Sequence, residues 1–441
     1  MTLSDNTPTL SEGHVLTSIE ICAGAGGQAI GLHAAGFKHL ALVEIDEHAA
    51  TTLTNNIDAL DGWSWEREHC DVINDDVNEF RPLPSEKYPE AGLKKPSKFL
   101  GGPLLRSKLD LLAGGVPCPP FSHAGKQLGK DDERDLFPRM LELVEDLHPK
   151  AVMIENVRGI KDAKFEEYRT YIEARLQGGR AKRPETGLEE DFRGLGYKVC
   201  KWEVLEASDF GVPQLRPRAV LVAIRKDVLG DLEFVWPAAT GAPKSVFEAL
   251  NDSMEARYQP YLKMGGDIAS EAQKCLDDWK DRASKAAADK RDGGIAPTLV
   301  GGSKKHGGAD LGPSRAKASW KQLGVSGMGV ANGYEESEKK GSRGRDLFRP
   351  DGPMLTVEQA AIIQGFPQNW KFSGGKTAQY RQVGNAFPPP VAEAVGRAIA
   401  AVLHAAHKRD KQRKAETQDL LPGQSVPSLA DSTDDRERAG V

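Results

Sequence analysis

The chain has few cysteines and no long apolar run, and each absence excludes a class of protein. Its 441 residues include five cysteines, and no pair has the spacing of a metal or redox site, which argues against a zinc site and a disulfide framework. No apolar stretch approaches the ~20 residues that a membrane span needs. Residues 1–14 have neither a basic start nor an apolar core and predict no secretion signal. We therefore expect a protein of the reducing cytosol that makes no membrane contact.

The chain also lacks an overall excess of positive charge. Its formal net charge of −5 argues against general affinity for nucleic acid, although a local basic surface could still supply it. Between residues 296 and 350, ten Lys or Arg residues accompany five acids. Such a stretch is typical of a solvated face and also of a surface that contacts DNA, and composition leaves both interpretations open.

Strands and helices are predicted to alternate along the first half of the chain. Apolar runs predict strands at residues 17–22, 39–44, 109–113, 151–155, 199–205 and 218–224, and helical patterns cover 27–35, 46–55 and 132–147. This alternation predicts an α/β fold with a doubly wound, mostly parallel sheet.

The pattern changes after about residue 235. Glycine and polar residues dominate stretches such as GGSKKHGG and GVSGMGVANG, which favour a smaller, loop-rich second domain. Helical patterns return at 356–364 and 390–406. We expect one domain over 14–235 that is completed by 378–406, a second domain over 236–377, and disordered termini at 1–13 and 407–441.

A glycine turn lies between the first predicted strand and the first predicted helix. Glycines in Gly24–Gly27 let the backbone approach a ligand and expose amide donors at a helix N-terminus. Glu44 ends the second predicted strand, where a carboxylate can accept hydrogen bonds from ribose hydroxyls, and Asp71 is interpreted as following a third strand. This pattern predicts nucleotide binding and fits NAD as well as S-adenosylmethionine.

Cys118 lies in the loop GGVPCPPFS, directly after the strand predicted at 109–113. Its prolines stiffen the loop and its glycines allow a sharp turn, a geometry that suits an exposed nucleophile. A lone cysteine is more often buried and inert, so the loop by itself does not decide. Because parallel strands end at one edge of a sheet, we expect Cys118 to share a cleft with the glycine turn, Glu44, Asp71 and Glu155. Cofactor, nucleophile and acid in one cleft would be a group-transfer site.

The ordered set of motifs resembles the DNA cytosine-5 methyltransferases of bacterial restriction-modification systems. The matching segments are ICAGAGG (21–27), VEID (43–46), CDV (70–72), GGVPCPPFS (114–122), DLF (135–137), ENVRG (155–159), PQLRPR (213–218) and YRQVGNAFPPPVA (380–392). Single motifs are weak, but the ordered set spans most of the chain and is specific. The resemblance implies a Rossmann-like S-adenosylmethionine-dependent fold with a target-recognition domain.

The resemblance also implies a chemistry. Cys118 would attack C6 of a cytosine flipped out of duplex DNA, after which C5 accepts a methyl group from S-adenosylmethionine. Glu155 would hydrogen-bond N3 and the exocyclic amine, and Arg218 would hold O2. The residues implied to support this catalytic set are Asn156, Arg216 and Gln214.

The same resemblance implies two sets of binding residues. The cofactor set is Cys22, Gly24, Gly26, Gly27, Glu44, Ile45, Asp71, Val72, Pro117, Leu136 and Asn385. Cys22 and Ile45 depart from the family, which usually has aromatic residues there. The expected DNA contacts are Ser122, Lys304, Lys305, Arg315, Lys317 and Arg343, mostly in the basic stretch, where they suit phosphate contacts and base readout.

Three alternative assignments fit the sequence less well. The branch that methylates tRNA shares the catalytic set but carries a Cys-Phe-Thr signature, which this chain lacks. An amino-methylating enzyme would have Asn or Asp before the prolines, where this chain has Cys118. A catalytically dead relative would have lost that cysteine. We therefore expect an active enzyme that binds double-stranded DNA as a monomer, without a metal, with a cognate restriction endonuclease acting separately.

Overall fold

The computed structural model describes residues 14–117, 135–241, 243–289, 293–301 and 309–419. Its strands are β1 (Leu16–Ile21), β2 (Phe37–Val43), β3 (Asp71–Ile73), β4 (Leu111–Gly114), β5 (Ala151–Val157), β6 (Gly179–Lys182), β7 (Glu189–Phe192), β8 (Tyr197–Glu206) and β9 (Pro217–Arg225). Within these ranges, seven strands form one sheet in the order β3-β2-β1-β4-β5-β9-β8, and β6 pairs with β7 in a separate hairpin.

Most of the large sheet is parallel, as the sequence predicts. Strands β1 to β5 pair in parallel, whereas β9 runs antiparallel to both β5 and β8. Because β9 runs the opposite way, it begins at the edge where β5 ends, and Val157 pairs with Arg218. One reversed strand therefore carries residues of the PQLRPR segment to the carboxyl edge.

Helices cover both faces of this sheet and build most of the second half of the chain. Those of the first half are α1 (Gly27–Ala34), α2 (Glu47–Ala59), α3 (Ser64–His69), α4 (Lys94–Leu100), α5 (Phe137–Leu147), α6 (Glu166–Gln177) and α7 (Lys226–Leu229). The rest are α8 (Val246–Leu262), α9 (Gly266–Ala288), α10 (Ser314–Gln322), α11 (Tyr334–Lys339), α12 (Arg343–Asp346), α13 (Val357–Gln364), α14 (Lys376–Asn385) and α15 (Pro389–Asp419). No helix in the described ranges is long and apolar enough to cross a membrane.

Alternation along the strands divides the core between the two faces. Leu111 and Ala113 of β4 pack in the layer that contains α15, while Leu112 packs in the layer that contains α5 and α6. Successive side chains of a strand point to opposite faces, so a strand buried on both sides is apolar throughout. This explains why the central strands are continuous hydrophobic runs in the sequence.

The last described helix extends further than the sequence predicts. A disordered tail was expected from residue 407, but α15 continues to Asp419, so the expectation is wrong for residues 407–419. The Arg409 side chain donates hydrogen bonds to the backbone carbonyls of residues 227, 228 and 229, which form the end of α7. A cation at a helix C-terminus satisfies carbonyls that have no partner within the helix, and this contact ties α15 to the domain. Residues 1–13 and 420–441 lie outside the described ranges.

The second half is more helical than its glycine-rich composition predicts. Ser245 and Glu248 form a reciprocal capping box at the start of α8. Helix α9 buries Leu276, Trp279 and Ala283, which are spaced for one face of a helix. These two helices pack together and supply much of the local core, while the glycine-rich stretches connect shorter helices.

Asp110 anchors the amino edge of the sheet. Its buried carboxylate accepts hydrogen bonds from Thr17 N at 2.8 Å, Thr17 Oγ1 at 3.0 Å and Lys150 Nζ at 2.7 Å. Burial acts to raise the pKa of Asp110, but the contacts with His14 and Lys150 outweigh it and hold that pKa below its ordinary value. The charged form of Asp110 is therefore stabilised by folding.

We predict that Asp110→Asn lowers the free energy of unfolding by about 2–3 kcal/mol at pH 7, because charged hydrogen bonds are lost and Lys150 loses its partner. A depressed pKa contributes stability above the unfolded value, about 3.9, and loses it as pH falls through the folded value. The difference between the two proteins should thus shrink below about pH 4. Urea titrations across pH measure it.

Asp58→Asn, at an exposed position of α2, is the matched control and should change stability by less than about 0.5 kcal/mol. A loss at Asp110→Asn that is the same at every pH would contradict the assignment of its charge.

Candidate active site

A cavity of about 250 Å³ opens at the carboxyl edge of the sheet, beside α14. Among the described residues, it is lined by Glu20, Cys22, Ala23, Gly24, Ala25, Gly27, Gln28, Glu44, Asp46, Ala49, Gly115, Glu155, Ala378, Arg381, Gln382, Asn385, Ala386 and Phe387. Six predicted site residues thus meet here, namely Cys22, Gly24, Gly27, Glu44, Glu155 and Asn385. Cys118 lies outside the described residues, but Gly115 of the same loop lines the cavity.

The glycine turn adopts a left-handed backbone. The φ angles are 52° at Cys22, 55° at Gly24 and 91° at Gly26, a region that favours residues without a Cβ. A Cβ built on Gly24 meets no atom within 4 Å, so this position is open. A Cβ on Gly26 would lie 2.8 Å from Cζ2 of Trp370, whose indole nitrogen donates to the carbonyl of Ala25 at 2.9 Å. Gly26 therefore makes room for a tryptophan from the second half of the chain.

Glu44 fixes the turn from the neighbouring strand. Its two carboxylate oxygens accept hydrogen bonds from Gly24 N at 2.7 Å and Asp46 N at 2.8 Å. Burial raises the pKa of Glu44 by more than these backbone hydrogen bonds lower it. The same carboxylate lines the cavity, where its remaining lone pairs can accept further donors.

Cys22 is a neutral thiol within this site. Burial, together with the charges of Glu44, Glu20 and Asp76, raises its pKa to about 12. A thiol that holds its proton is a poor nucleophile, so Cys22 does not compete for that role.

Glu155 and Arg218 form an ion pair across the junction of β5 and β9. Arg218 Nε lies 3.0 Å from Glu155 Oε1, and both side chains are largely buried. Burial raises the pKa of Glu155, although Arg218 and Arg216 act to lower it, and the net shift is upward. A raised pKa favours the protonated carboxyl, which can donate one hydrogen bond through its hydroxyl and accept another at its second oxygen. Hydrogen bonding to the edge of a base requires both.

Asn156 lies behind the cysteine loop. Its Nδ2 donates to Val116 O at 2.7 Å, two residues before Cys118, and the side chain is 5% exposed. This contact links the end of β5 to the loop that follows β4.

Arg216 and Gln214 are buried and do not line the cavity. The Arg216 guanidinium donates to the backbone carbonyls of residues 299, 384 and 386 at 2.7–2.9 Å, and burial lowers its pKa. Gln214 Nε2 donates to Gln364 Oε1 at 2.6 Å, and Gln214 Oε1 accepts from Leu299 N at 2.7 Å. Their side chains join segments of the chain, which suits support rather than contact with a substrate.

The prediction that Asp71 follows the third strand is wrong. Asp71 begins β3, and its carboxylate accepts the amide hydrogens of Lys94 and Lys95 at the start of α4. Asp76 lies beyond the carboxyl end of β3, close enough for its charge to raise the pKa of the Cys22 thiol. The error arose because a strand of three residues is too short to reveal its boundaries in the sequence.

Five other predicted cofactor residues are not among those that line the described cavity. Gly26 contacts Trp370, and Val72 lies within β3 and packs against the core. Ile45 is 68% exposed, Pro117 is exposed, and Leu136 precedes α5 with its amide 3.5 Å from the Pro117 carbonyl.

The predicted DNA-contacting residues within the described ranges are Arg315, Lys317 and Arg343. Arg315 is exposed on α10. Lys317 and Arg343 each have an acidic partner: Lys317 Nζ lies 2.8 Å from Asp310 Oδ2, and Arg343 Nη1 lies 3.8 Å from Glu338 Oε2. Ser122, Lys304 and Lys305 lie outside the described residues.

Five polar or charged residues of the cavity were not among the predicted site residues, namely Glu20, Gln28, Asp46, Arg381 and Gln382. Glu20 carried a detectable signal, since it is the one charged residue of β1, a strand that is buried throughout. Gln28 lies on a helix, where no local pattern distinguishes it from a surface residue, whereas Arg381 and Gln382 lie in the segment YRQVGNAFPPPVA but were assigned no role.

Comparison with known proteins identifies the class that this fold and site define. The sequence model of the C-5 cytosine-specific DNA methylase family matches residues 16–401. The chain therefore belongs to this family and is a DNA cytosine-5 methyltransferase.

Three relatives named as Type II methyltransferases resemble most of the chain. M.NaeI of Lentzea aerocolonigenes is 45% identical over 390 residues, covering 88% of this chain and 76% of that protein. M.NgoMIV of Neisseria gonorrhoeae is 41% identical, covering 88% and 98%. M.Eco47II of Escherichia coli is 30% identical, covering 91% and 82%.

We predict that Gly26→Ala destabilises the protein more than Gly36→Ala does. Both glycines have similar φ angles, 91° and 95°, so an alanine is strained by about 1–2 kcal/mol at either position. At Gly26 the added carbon would also collide with Trp370 and Leu53, which costs about 1–3 kcal/mol more, whereas at Gly36 it meets nothing within 4 Å. Denaturant titrations measure the difference, and equal losses would contradict the contact with Trp370.

Proposed function

We propose that this methyltransferase uses S-adenosylmethionine to methylate cytosine at C5 within a specific duplex sequence, as the modification enzyme of a restriction-modification system. The observation that carries the proposal is the Glu155–Arg218 pair, which adjoins the cavity that the glycine turn and Glu44 also line. A base-binding pair and a nucleotide-binding turn at one edge suit transfer of a group between a cofactor and a base.

The residues of the cavity fit S-adenosylmethionine. Glu44 offers carboxylate lone pairs for ribose hydroxyls, Gly24 leaves its backbone open, and Asn385 adds an amide. Gln28 is buried with neither side-chain amide atom hydrogen-bonded to a described residue, which indicates a polar ligand. When bound, this cofactor supplies an electrophilic methyl group.

Cys118 is the proposed nucleophile toward the base. Its thiolate adds to C6 of a cytosine that has been flipped out of the duplex, because C6 is unreachable within the stack. The Asn156 contact with Val116 O positions the preceding loop. Release of the thiol and loss of the C5 proton restore the aromatic ring after methylation.

Glu155 and Arg218 are proposed to stabilise the charge that this addition creates. Protonated Glu155 donates to N3 and accepts from the exocyclic amine, and its raised pKa favours that form. Arg218 orients the carboxyl through Nε and offers its remaining donors to O2.

The chain is proposed to divide into a catalytic domain over 14–235 and 378–406 and a target-recognition domain over 236–377. Support comes from α14, which lines the cavity, and from α15, which packs on α1 of the first half. Basic residues 315, 317 and 343 of the second domain would then contact DNA phosphates. Lys317 and Arg343 would leave their acidic partners, Asp310 and Glu338, to do so.

The biological setting is proposed from the relatives. Their names mark them as Type II methyltransferases, so we infer that this chain protects DNA in the bacterial cytosol. It would act as a monomer, separately from any cognate endonuclease.

We predict that the wild-type protein transfers labelled methyl groups from S-adenosylmethionine to duplex DNA of mixed sequence. Cys118→Ala should reduce the rate by about three orders of magnitude or more, because the covalent route is lost. Cys200→Ala, on β8, is the matched control and should leave the rate unchanged. DNA containing 5-fluorocytosine at the target should trap a covalent complex, since fluorine cannot leave as the proton does. Transfer that survives Cys118→Ala, or a wild-type protein without transfer, would refute the proposal.

We predict that Arg315→Gln weakens duplex binding and lowers the dependence of log Kd on log salt by about one unit, as expected for one lost phosphate contact. Lys108→Gln, which removes an exposed charge at the opposite, amino edge of the sheet, is the control and should change neither quantity. Equal effects of the two substitutions in fluorescence anisotropy titrations would show a non-specific charge effect instead.

A further inference from the structure

A second cavity, of about 410 Å³, opens at the amino edge of the sheet, and we call it the amino-edge groove. Its lining residues are His14, Val15, Thr17, Phe99, Leu100, Pro103, Leu104, Leu105, Lys108 and Asp110. Six of these ten are apolar, and none of the ten lines the cavity at the carboxyl edge. The groove is therefore separate from the candidate active site.

Apolar side chains are exposed along this groove. Leu105 is 57% exposed, Phe99 is 40% exposed and Leu100 is 36% exposed. Trp65 holds Phe99 in place through an edge contact with the ring centroids 5.1 Å apart. Single exposed apolar residues are ordinary on a protein surface, whereas several that border one cavity mark an interaction site. We therefore expect another apolar segment to cover the groove.

The groove lies in a basic part of the chain. Residues 94–108 include five Lys or Arg residues and no Asp or Glu. None of the five forms an ion pair with a carboxylate in the described ranges, and Lys95 and Arg106 donate to backbone carbonyls instead. The one acid that lines the groove, Asp110, is already bonded to Lys150. Positive charge beside an apolar groove favours an occupant that has both acidic and apolar residues.

The end of α15 brings such a segment close to the groove. His407 of α15 stacks on His14 with the ring centroids 4.8 Å apart, and His14 lines the groove. From Asp410 to Glu416 every residue is exposed, so this end of α15 extends past the domain. Residues 420–441 follow α15 and lie outside the described ranges.

Residues 420–441 have the composition that the groove favours. Leu429 is followed closely by one base and by four acids, namely Asp431, Asp434, Asp435 and Glu437. The Pro-Gly pair at 422–423 is typical of a turn soon after the helix end. The helix from His407 to Asp419 is about 18 Å long, whereas ten extended residues span about 33–36 Å. The chain is therefore long enough to turn back and bring Leu429 to the groove.

We propose that the segment 420–441 docks in the amino-edge groove, with Leu429 against the apolar lining and the acids beside Lys98 and Lys108. Because the segment is tethered to α15, a weak contact is enough: a short flexible link gives an effective concentration of about 1 mM. Composition alone predicts disorder for these residues, and docking would order part of them. The docked segment covers apolar side chains that would otherwise favour association between copies of the chain.

Zero-length crosslinking of the full chain tests the proposal. A carbodiimide joins carboxylates to lysine amines that are in ion-pair contact, and mass spectrometry identifies the joined residues. A mixture of unlabelled and isotope-labelled protein separates links within one chain from links between two chains. We expect links within one chain from the acids at 431–437 to Lys98 or Lys108.

Leu105→Asp places a negative charge in the groove at an exposed position, so the variant should keep the wild-type melting temperature. It should lower the yield of these links by about tenfold, because an apolar contact is lost and the acids of the segment are repelled. Leu188→Asp is the matched control, since Leu188 is 65% exposed between β6 and β7, and it should leave the yield unchanged.

Hydrogen exchange gives a second measurement that does not depend on the folding of a groove variant. Asp434→Asn combined with Asp435→Asn should speed exchange of the amides at 99–105 by about three- to tenfold, because two charge contacts of the docked segment are lost. Arg436→Gln combined with Arg438→Gln is the matched control in the same segment and should not speed exchange.

Several outcomes would overturn the proposal by assigning the groove to another occupant. Links that join two different chains would assign it to a second copy, and links from Asp5 or Glu12 would assign it to the other terminus. Acids at 431–437 that link only to the lysines at 408, 411 and 414 would show that the segment stays on its own helix.

The proposal is also wrong if no link reaches Lys98 or Lys108 in the wild-type protein. Equal yields in Leu105→Asp and Leu188→Asp would contradict it, as would equal exchange rates in the two double variants of the segment.

Discussion

One buried guanidinium holds together the parts of the chain that form the site. Arg216, directly before β9, donates hydrogen bonds to the carbonyl of residue 299 in the second half and to those of residues 384 and 386 at the junction of α14 and α15. Three backbone acceptors offset the cost of burying this charge. The wall that α14 contributes to the cavity, including Arg381 and Asn385, therefore depends on a residue that does not itself line it.

The features that could be predicted from the sequence are those encoded locally. Continuous apolar runs identified the central strands, and the glycine turn and Glu44 followed from their positions at strand ends. Asp71 was misplaced because β3 has three residues, too few for a periodic pattern. Asp76, three residues beyond the end of that strand, is the acid whose charge raises the pKa of the Cys22 thiol. Boundaries of short elements are set by pairing with neighbours, and a single sequence does not encode them visibly.

The rest depended on contacts between distant segments. The end of α15 is held by Arg409 against α7, about 180 residues away in the chain, and no local signal in the polar tail announces this contact. Arg216 and Gln214 were expected to support the site, but which atoms they bind emerges only from the packing of residues 299, 364 and 384 around them. Glu20 is the exception, since a lone acid in a buried strand is itself a local anomaly.

The tryptophan that fills the space above Gly26 also limits how the molecule could be recombined. Trp370 follows α13 in the second half of the chain, yet its indole is bonded to Ala25 O and packs near Trp63, both in the first half. Residues 371 and 373 hydrogen-bond to Asn56 and Thr52 of α2. A hybrid enzyme in which residues 236–377 are exchanged as a block would place another protein's residue, instead of Trp370, against the glycine turn. An exchange that ends before Trp370 would instead keep this tryptophan together with the turn that it contacts.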